Sequence, residues 1–182
     1  MAGSHFYPDF AAVLLKQKVA EQYGLKAENV LTGAGSSAMI DMIGLTFLDD
    51  GDEVLFSAPT YGAFADMAYL NGGVPVSAPV TEEQKFNLPA MKEKIGEKTK
   101  IVVICNPNNP TGALYPKEVL QQIVELAREH QLIIFSDEIY DRLVMDGLEH
   151  VSIASLAPDL FCVTFSGLSK SHMIAGFRIG WM

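Results

Sequence analysis

A chain of 182 residues is long enough to bury a substantial core in one domain. Hydrophobic residues make up 49 % and charged residues 19 %, a globular composition, and 22 acids against 13 bases leave a net charge of −9. That balance argues against nucleic acid or an anionic membrane as a partner, because both call for a basic surface. No window approaches the roughly 18 consecutive apolar residues of a membrane span, and Met1-Ala-Gly-Ser-His5 lacks the charged and apolar regions of a signal peptide. Cys105 and Cys162 each lie inside an apolar run, where an isolated thiol acts as a small hydrophobe; no metal site is expected, and this usage fits a reducing cytoplasm.

In chain order, Asp9 to Tyr23 reads as an amphipathic helix with Phe10, Val13, Leu14 and Ala20 on one face, ended by Gly24. Val30–Gly33 is a short strand or turn, and Thr32-Gly-Ala-Gly-Ser-Ser37 opens a helix to about Leu48. Asp49-Asp-Gly-Asp52 is a turn. A strand over Glu53–Ser57, a helix over Thr60–Leu70, a strand over Val74–Ala78 and a short helix over Leu88–Ile95 follow. Ile101–Cys105 is a nearly continuous apolar run, as a strand covered on both faces requires. A helix over Pro116–His130 starts on proline, where the missing N–H costs nothing. Leu132–Ser136 and Leu160–Phe165 are two more buried strands, and Arg178–Met182 begins another. Alternating strands and helices predict a three-layer α/β sandwich with a mostly parallel sheet. Ending on a strand start, the chain is expected to be part of a longer protein.

The chemistry collects where apolar strands stop. Asn106-Pro-Asn-Asn-Pro-Thr-Gly112, Asp137-Glu-Ile-Tyr140 and Ser166-Gly-Leu-Ser-Lys170 each follow a buried strand. In an open α/β sheet the carboxyl ends of the strands are where ligands bind. Gly33-Ala-Gly-Ser-Ser37 ahead of a helix offers backbone N–H groups, a helix dipole and two hydroxyls to a phosphate, or else only an N-cap by Ser36 or Ser37. Arg178, between Gly176 and Gly180, suits a bidentate phosphate contact or a plain surface position. A carboxylate at Asp137, after Leu, Ile, Ile and Phe, loses water and needs a cationic partner, or else serves only as a cap or in a salt bridge. Tyr61 offers a ring face or a core aromatic, and Asn109 an aimed amide or a turn former.

Taken in order, this set resembles the fold-type I pyridoxal phosphate enzymes, and most closely the class I/II aminotransferases. The resemblance runs from Tyr7 to Met182 and is carried by Asn-Pro-Asn-Asn-Pro-Thr-Gly and by Ser169-Lys170 followed by Gly176-Phe-Arg-Ile-Gly180. The first half, with Tyr7-Pro-Asp9 and Pro59-Thr-Tyr61, looks like histidinol-phosphate aminotransferases. The second half, with Asp137-Glu-Ile-Tyr-Asp141 and Gly167-Leu-Ser-Lys170, looks like alanine or aspartate aminotransferases.

The resemblance implies pyridoxal 5'-phosphate as cofactor and transfer of an amino group between an amino acid and a 2-oxo acid. It implies Lys170 as the amine that forms the aldimine and shuttles the substrate proton, and Asp137 as the partner of the pyridine nitrogen. Asn109 and Tyr140 would bond the phenolic oxygen, and Tyr61 would stack on the ring. Gly35, Ser36, Ser37 and Arg178 would hold the phosphate. Tyr7 would reach the phosphate of a neighbouring subunit, which makes a homodimer with shared sites. Where many relatives carry Ser or Thr three residues before the lysine, this chain has Gly167, so that contact falls to Ser169 or to backbone.

Family members are about twice this length, so residues 1–182 are expected to be the cofactor-binding large domain without the small C-terminal domain and N-terminal arm. The arginine that clamps the substrate carboxylate would lie outside it, since Arg128 and Arg142 are not family carboxylate ligands. The alternatives are a cofactor-binding fragment without transaminase activity, or a sister lyase, racemase or decarboxylase.

Overall fold

The structure is a computed structural model that describes Tyr7 and residues 9–182. The reading of Met1–His5, and Pro8 of the Tyr-Pro-Asp motif, lie outside the described residues. Seven strands form one sheet: β1 (Thr32–Ala34), β2 (Glu53–Ala58), β3 (Val74–Pro79), β4 (Thr99–Cys105), β5 (Ile133–Asp137), β6 (Cys162–Gly167) and β7 (Ile179–Trp181). Their order is β1-β7-β6-β5-β4-β2-β3. Neighbours from β3 through β6 pair in parallel, and β7 runs antiparallel to both β6 and β1. Five helices cover it: α1 (Val13–Tyr23), α2 (Ser36–Phe47), α3 (Ala63–Leu70), α4 (Leu88–Lys94) and α5 (Lys117–His130). Among the described residues no helix is long and apolar enough to cross a membrane.

Side-chain alternation in the strands builds the three layers. In β4, Val102 and Ile104 join Met91 of α4 and Leu120, Ile123 and Ala127 of α5 on one face. Ile101, Val103 and Cys105 join Met39, Ile40 and Ile43 of α2 and Phe64 and Met67 of α3 on the other. Burial on both faces explains why β4 and β5 read as unbroken apolar runs.

Two helices start later than their sequence pattern. α1 begins at Val13 because the Asp9 carboxylate accepts from the Ala11 and Val13 amides and Ala12 turns left-handed at φ 49°. Its inward residues are therefore Leu15, Val19 and Ala20, packed with Val30 and Trp181. Phe10 and Leu14, expected on the buried face, are 93 % and 76 % exposed, and Val13 is exposed too. α3 begins at Ala63 because the preceding turn is tied elsewhere: Thr60 Oγ1 donates to Asn108 Oδ1 at 3.0 Å, and Asn108 Nδ2 donates to the Pro59 carbonyl at 3.0 Å. α5 starts at Lys117 with Pro116 as its N-cap.

Candidate active site

Parallel strands β4, β5 and β6 end at one edge of the sheet, and the loops that leave them surround a cavity of about 300 Å³. The chain visits β2 and β3 on one side of β4, then β5 and β6 on the other, so the cavity lies at a reversal of strand order, where crevices form. Its walls include Ser36, Ser37, Tyr61, Asn109, Asp137, Tyr140, Ser169, Lys170 and Arg178. Nine of the eleven site residues expected from sequence thus meet around one space. Gly35 lies buried beneath the Arg178 guanidinium, at the rim. Tyr7 is 92 % exposed and outside the cavity walls.

Asp137 closes β5 opposite Cys105, the last residue of β4. It is 3 % exposed, and its Oδ1 accepts from the Ile139 amide at 3.1 Å. Burial pushes the carboxyl up to about 6, against the Ile139 hydrogen bond and the charge of Lys170, which favour the ionised form. An acid held this way favours a cationic N–H donor in the cavity. Lys170 lies in the loop after β6, with Nζ 5.5 Å from the centroid of the Tyr140 ring, within cation–π range. Tyr61 stands at the wall with its ring edge on to Phe64, centroids 5.8 Å apart.

The N-terminus of α2 lines the cavity through Ser36 and Ser37. The N-cap is Gly35, with φ 83° and ψ 166°, and no side chain caps the helix, so Ser36 and Ser37 spend neither hydroxyl on capping. A Cβ at Gly35 would stand 2.4 Å from Arg178 Nη2. The guanidinium itself is steered by two carbonyls: Nη1 donates to Ala175 O at 3.2 Å and Nη2 to Ala34 O at 3.3 Å. Gly180 sits against the same turn, where an added Cβ would lie 2.4 Å from both Gly35 C and Ser36 N.

Gly167 has a structural reason that its sequence position alone does not reveal. It pairs with Gly180 across β6 and β7, and a Cβ there would come within 2.6 Å of the Ile179 carbonyl. A side chain at this position would meet the β7 backbone, and Ser169 lines the cavity.

Sequence reasoning missed Cys105, Ile139 and Ala175 as cavity walls. Cys105 was read as a core thiol, and burial does push its thiol up to about 12, yet the side chain also borders the cavity. Its place as the last residue before Asn106 was the available signal. A smaller hollow of about 180 Å³ between α1 and the segment after β6 is walled by Lys18, Tyr23, Arg142 and Trp181, and none of the expected site residues reaches it. Among the described residues no cluster of His, Cys, Asp and Glu has the geometry for a metal ion.

The donor set fits pyridoxal 5'-phosphate at each end. Serine hydroxyls, a helix N-terminus and an arginine answer a phosphate, and a buried, poorly solvated carboxylate answers a protonated ring nitrogen. The glycines at 35 and 180 leave room where any side chain would intrude.

Comparison with known proteins agrees with this geometry. The family model for aminotransferase class I and II matches residues 1–182. The chain is 45 % identical over 185 residues to the glutamate-pyruvate aminotransferase AlaA of Haemophilus influenzae, covering 97 % of this chain and 46 % of that one. It is 45 % identical over 157 residues to alanine aminotransferase of Mycobacterium tuberculosis, covering 85 % and 37 %. Among solved structures, an aminotransferase from Escherichia coli superposes with a TM-score of 0.87 at 43 % identity, over 94 % of this chain and 43 % of that chain. An aromatic aminotransferase from Pyrococcus horikoshii gives 0.90 at 31 % identity, over 97 % and 50 %. The chain thus spans less than half the length of the curated relatives it matches. Family model, relatives and solved structures agree, and this chain belongs to the class I and II aminotransferases.

Proposed function

We propose that this chain is the cofactor-binding large domain of a pyridoxal 5'-phosphate-dependent aminotransferase. The observation that carries the reading is a buried Asp137 that shares one cavity with Lys170 and with a glycine, serine and arginine cradle. When bound, the cofactor supplies an electron sink for the negative charge that develops on the α-carbon of an amino acid. Asp137 holds the proton on the ring nitrogen, which keeps that sink strong. Lys170 attaches the cofactor through Nζ and moves the proton at the substrate α-carbon. Asn109 and Tyr140 bond the phenolic oxygen, Tyr61 stacks on the ring, and Gly35, Ser36, Ser37, Ser169 and Arg178 hold the phosphate.

The substrates are an amino acid and a 2-oxo acid. Relatives named for alanine and for glutamate and pyruvate, at 45–47 % identity, support that pair as the first to test. The protein is a cytoplasmic homodimer in this reading. The exposure of Tyr7, Phe10 and Leu14 supports a neighbouring subunit over that segment, with Tyr7 reaching its site.

The test is a single half-reaction. The chain loaded with pyridoxal 5'-phosphate is mixed with L-glutamate, and 2-oxoglutarate is measured against cofactor. One equivalent released, followed by alanine when pyruvate is added, is the expected result, and Lys170→Ala should abolish it. Cofactor attached at Lys170 with no 2-oxo acid formed from any amino acid would refute transamination by this chain and leave a cofactor-binding module.

A further inference from the structure

Along β5 and into the turn after it, side chains alternate. Ile134, Ser136 and Glu138 share the face turned to α5, and Phe135 and Asp137 the face turned to α2. Glu138 thus follows Asp137 directly and yet stands outside the cavity walls, 4 % exposed. Its Oε1 accepts from Ser136 Oγ at 2.9 Å, from Ser152 Oγ at 3.0 Å and from the Ile153 amide at 3.3 Å. Ile153 opens a 3₁₀ turn to Leu156 and packs, with Ala157, in the core beneath α5. Oε2 lies 3.6 Å from His150 Nε2, too long for a hydrogen bond. One oxygen therefore makes all three bonds. Burial pushes Glu138 up to about 7 and His150 down, and a neutral carboxyl with its proton on Oε2 still accepts at Oε1.

This anchor sits where the sheet stops holding the chain. The Asp137 carbonyl accepts from the Asn106 amide at 2.9 Å, and the Glu138 amide donates to the Phe165 carbonyl at 2.9 Å, so neighbouring strands fix the backbone as far as the Glu138 nitrogen. The next amide, of Ile139, is the one that donates to Asp137 Oδ1 at 3.1 Å, and it is the only hydrogen bond of that carboxylate among the described residues. Its direction is set by rotation about the Glu138 backbone. Two restraints act there: the Asp141 amide, which donates to the Glu138 carbonyl at 3.0 Å within the turn, and the Glu138 side chain, which ties the turn to the core.

We propose that Glu138 is a positioning residue for Asp137: its buried Oε1, pinned by Ser136, Ser152 and Ile153, holds the turn so that the Ile139 amide keeps the Asp137 carboxylate aimed into the cavity. That Asp137 meets a pyridine nitrogen there rests on the proposed function; the hold on Asp137 does not. The role requires reach rather than charge, because what Glu138 supplies is an acceptor at a fixed distance from β5. Losing it would leave two hydroxyls and an amide without their partner in the interior and free the turn beyond Glu138.

The test separates reach from charge. Glu138→Asp keeps a carboxyl but is one methylene short of Ser152 and Ile153, whereas Glu138→Gln keeps the acceptor at full reach and carries no charge. The chain free of cofactor is labelled with ¹³C at aspartate and titrated by NMR, with Asp137 assigned by Asp137→Asn. The Ile139 hydrogen bond and Lys170 favour the ionised Asp137, and the Cys105 thiol faces the same carboxyl. Glu138→Asp should therefore raise the Asp137 midpoint by about one pH unit, the scale of one hydrogen bond to a charged group. Glu138→Gln should leave the midpoint at its wild-type place. An unmoved midpoint in Glu138→Asp, or an equal rise in both variants, overturns the proposal. Should Glu138→Asp not fold, Ser152→Ala takes its place: it withdraws one of the three donors and should raise the midpoint in the same sense, and no change overturns the hold. With cofactor, Glu138→Asp should weaken pyridoxal 5'-phosphate binding about tenfold, and Glu138→Gln should retain the affinity; equal losses in the two overturn it. If the wild type binds no cofactor, the proposed function fails, while the aspartate titrations still decide the role of Glu138.

Discussion

Two glycines flank Arg178 symmetrically in Gly176-Phe-Arg-Ile-Gly180, and the structure separates them. An added Cβ at Gly176 meets nothing within 4 Å, whereas at Gly180 it falls 2.4 Å from Gly35 C and Ser36 N and 2.8 Å from Gly35 Cα. Every one of those atoms is backbone, so no rotamer change relieves the contact. Overpacking of this kind costs about 1–3 kcal/mol, and for a chain of this size each kcal/mol lowers the melting temperature by roughly 2–4 °C. Gly180→Ala should therefore melt roughly 2–12 °C below the wild type, and Gly176→Ala within about 2 °C of it. The displaced atoms belong to the turn that opens α2, so Gly180→Ala should also weaken pyridoxal 5'-phosphate binding, and Gly176→Ala should not. Differential scanning calorimetry without cofactor and a fluorescence titration with it measure the two effects separately. Equal melting temperatures for the two variants would refute the close approach of β7 to the Gly35–Ser36 turn.

Asp137 gives a pH signature. Its carboxyl is raised from 3.8 to about 6 in the fold, so the stability linked to its protonated form is present below pH 4 and lost as pH rises through 6. The loss is roughly 3 kcal/mol at 1.36 kcal/mol for each unit of pKa. Urea unfolding of the cofactor-free protein at pH 5 and pH 8 should show a steeper decline for the wild type than for Asp137→Asn; parallel declines would exclude a strained carboxylate. Arg178→Lys removes a guanidinium that reaches the Ala34 and Ala175 carbonyls together. A lysine cannot keep that fork while facing a phosphate, so cofactor affinity should fall about tenfold or more. Unchanged affinity in an equilibrium titration would remove Arg178 from the phosphate cradle.

The layers were legible in the sequence because β4 and β5 are covered on both faces, and such strands read as apolar runs that end abruptly at Asn106 and at Ser136-Asp137. The grouping of the candidate residues was legible for the same reason: Asn109, Asp137 and Lys170 lie at or just past strand ends, and parallel pairing brings strand ends together. What local pattern could not supply was long-range. The antiparallel pairing of β7 with both β1 and β6, which leaves no room for a side chain at Gly167 or Gly180, joins segments far apart in sequence. The start of α1 was misplaced because the Asp9 carboxylate accepts from the Ala11 and Val13 amides and Ala12 adopts a left-handed turn, neither of which alters the hydrophobic period.

The central claim is that Lys170 is the amine that carries the cofactor, and one labelling measurement tests it most directly. The chain is mixed with one equivalent of pyridoxal 5'-phosphate, reduced with borohydride, digested and mapped by mass. A single pyridoxyl group on Lys170 is the predicted result, since this is the lysine that shares the cavity with Asp137 and Arg178. Label spread over surface lysines such as Lys18 and Lys94, with Lys170 unmodified, would contradict it.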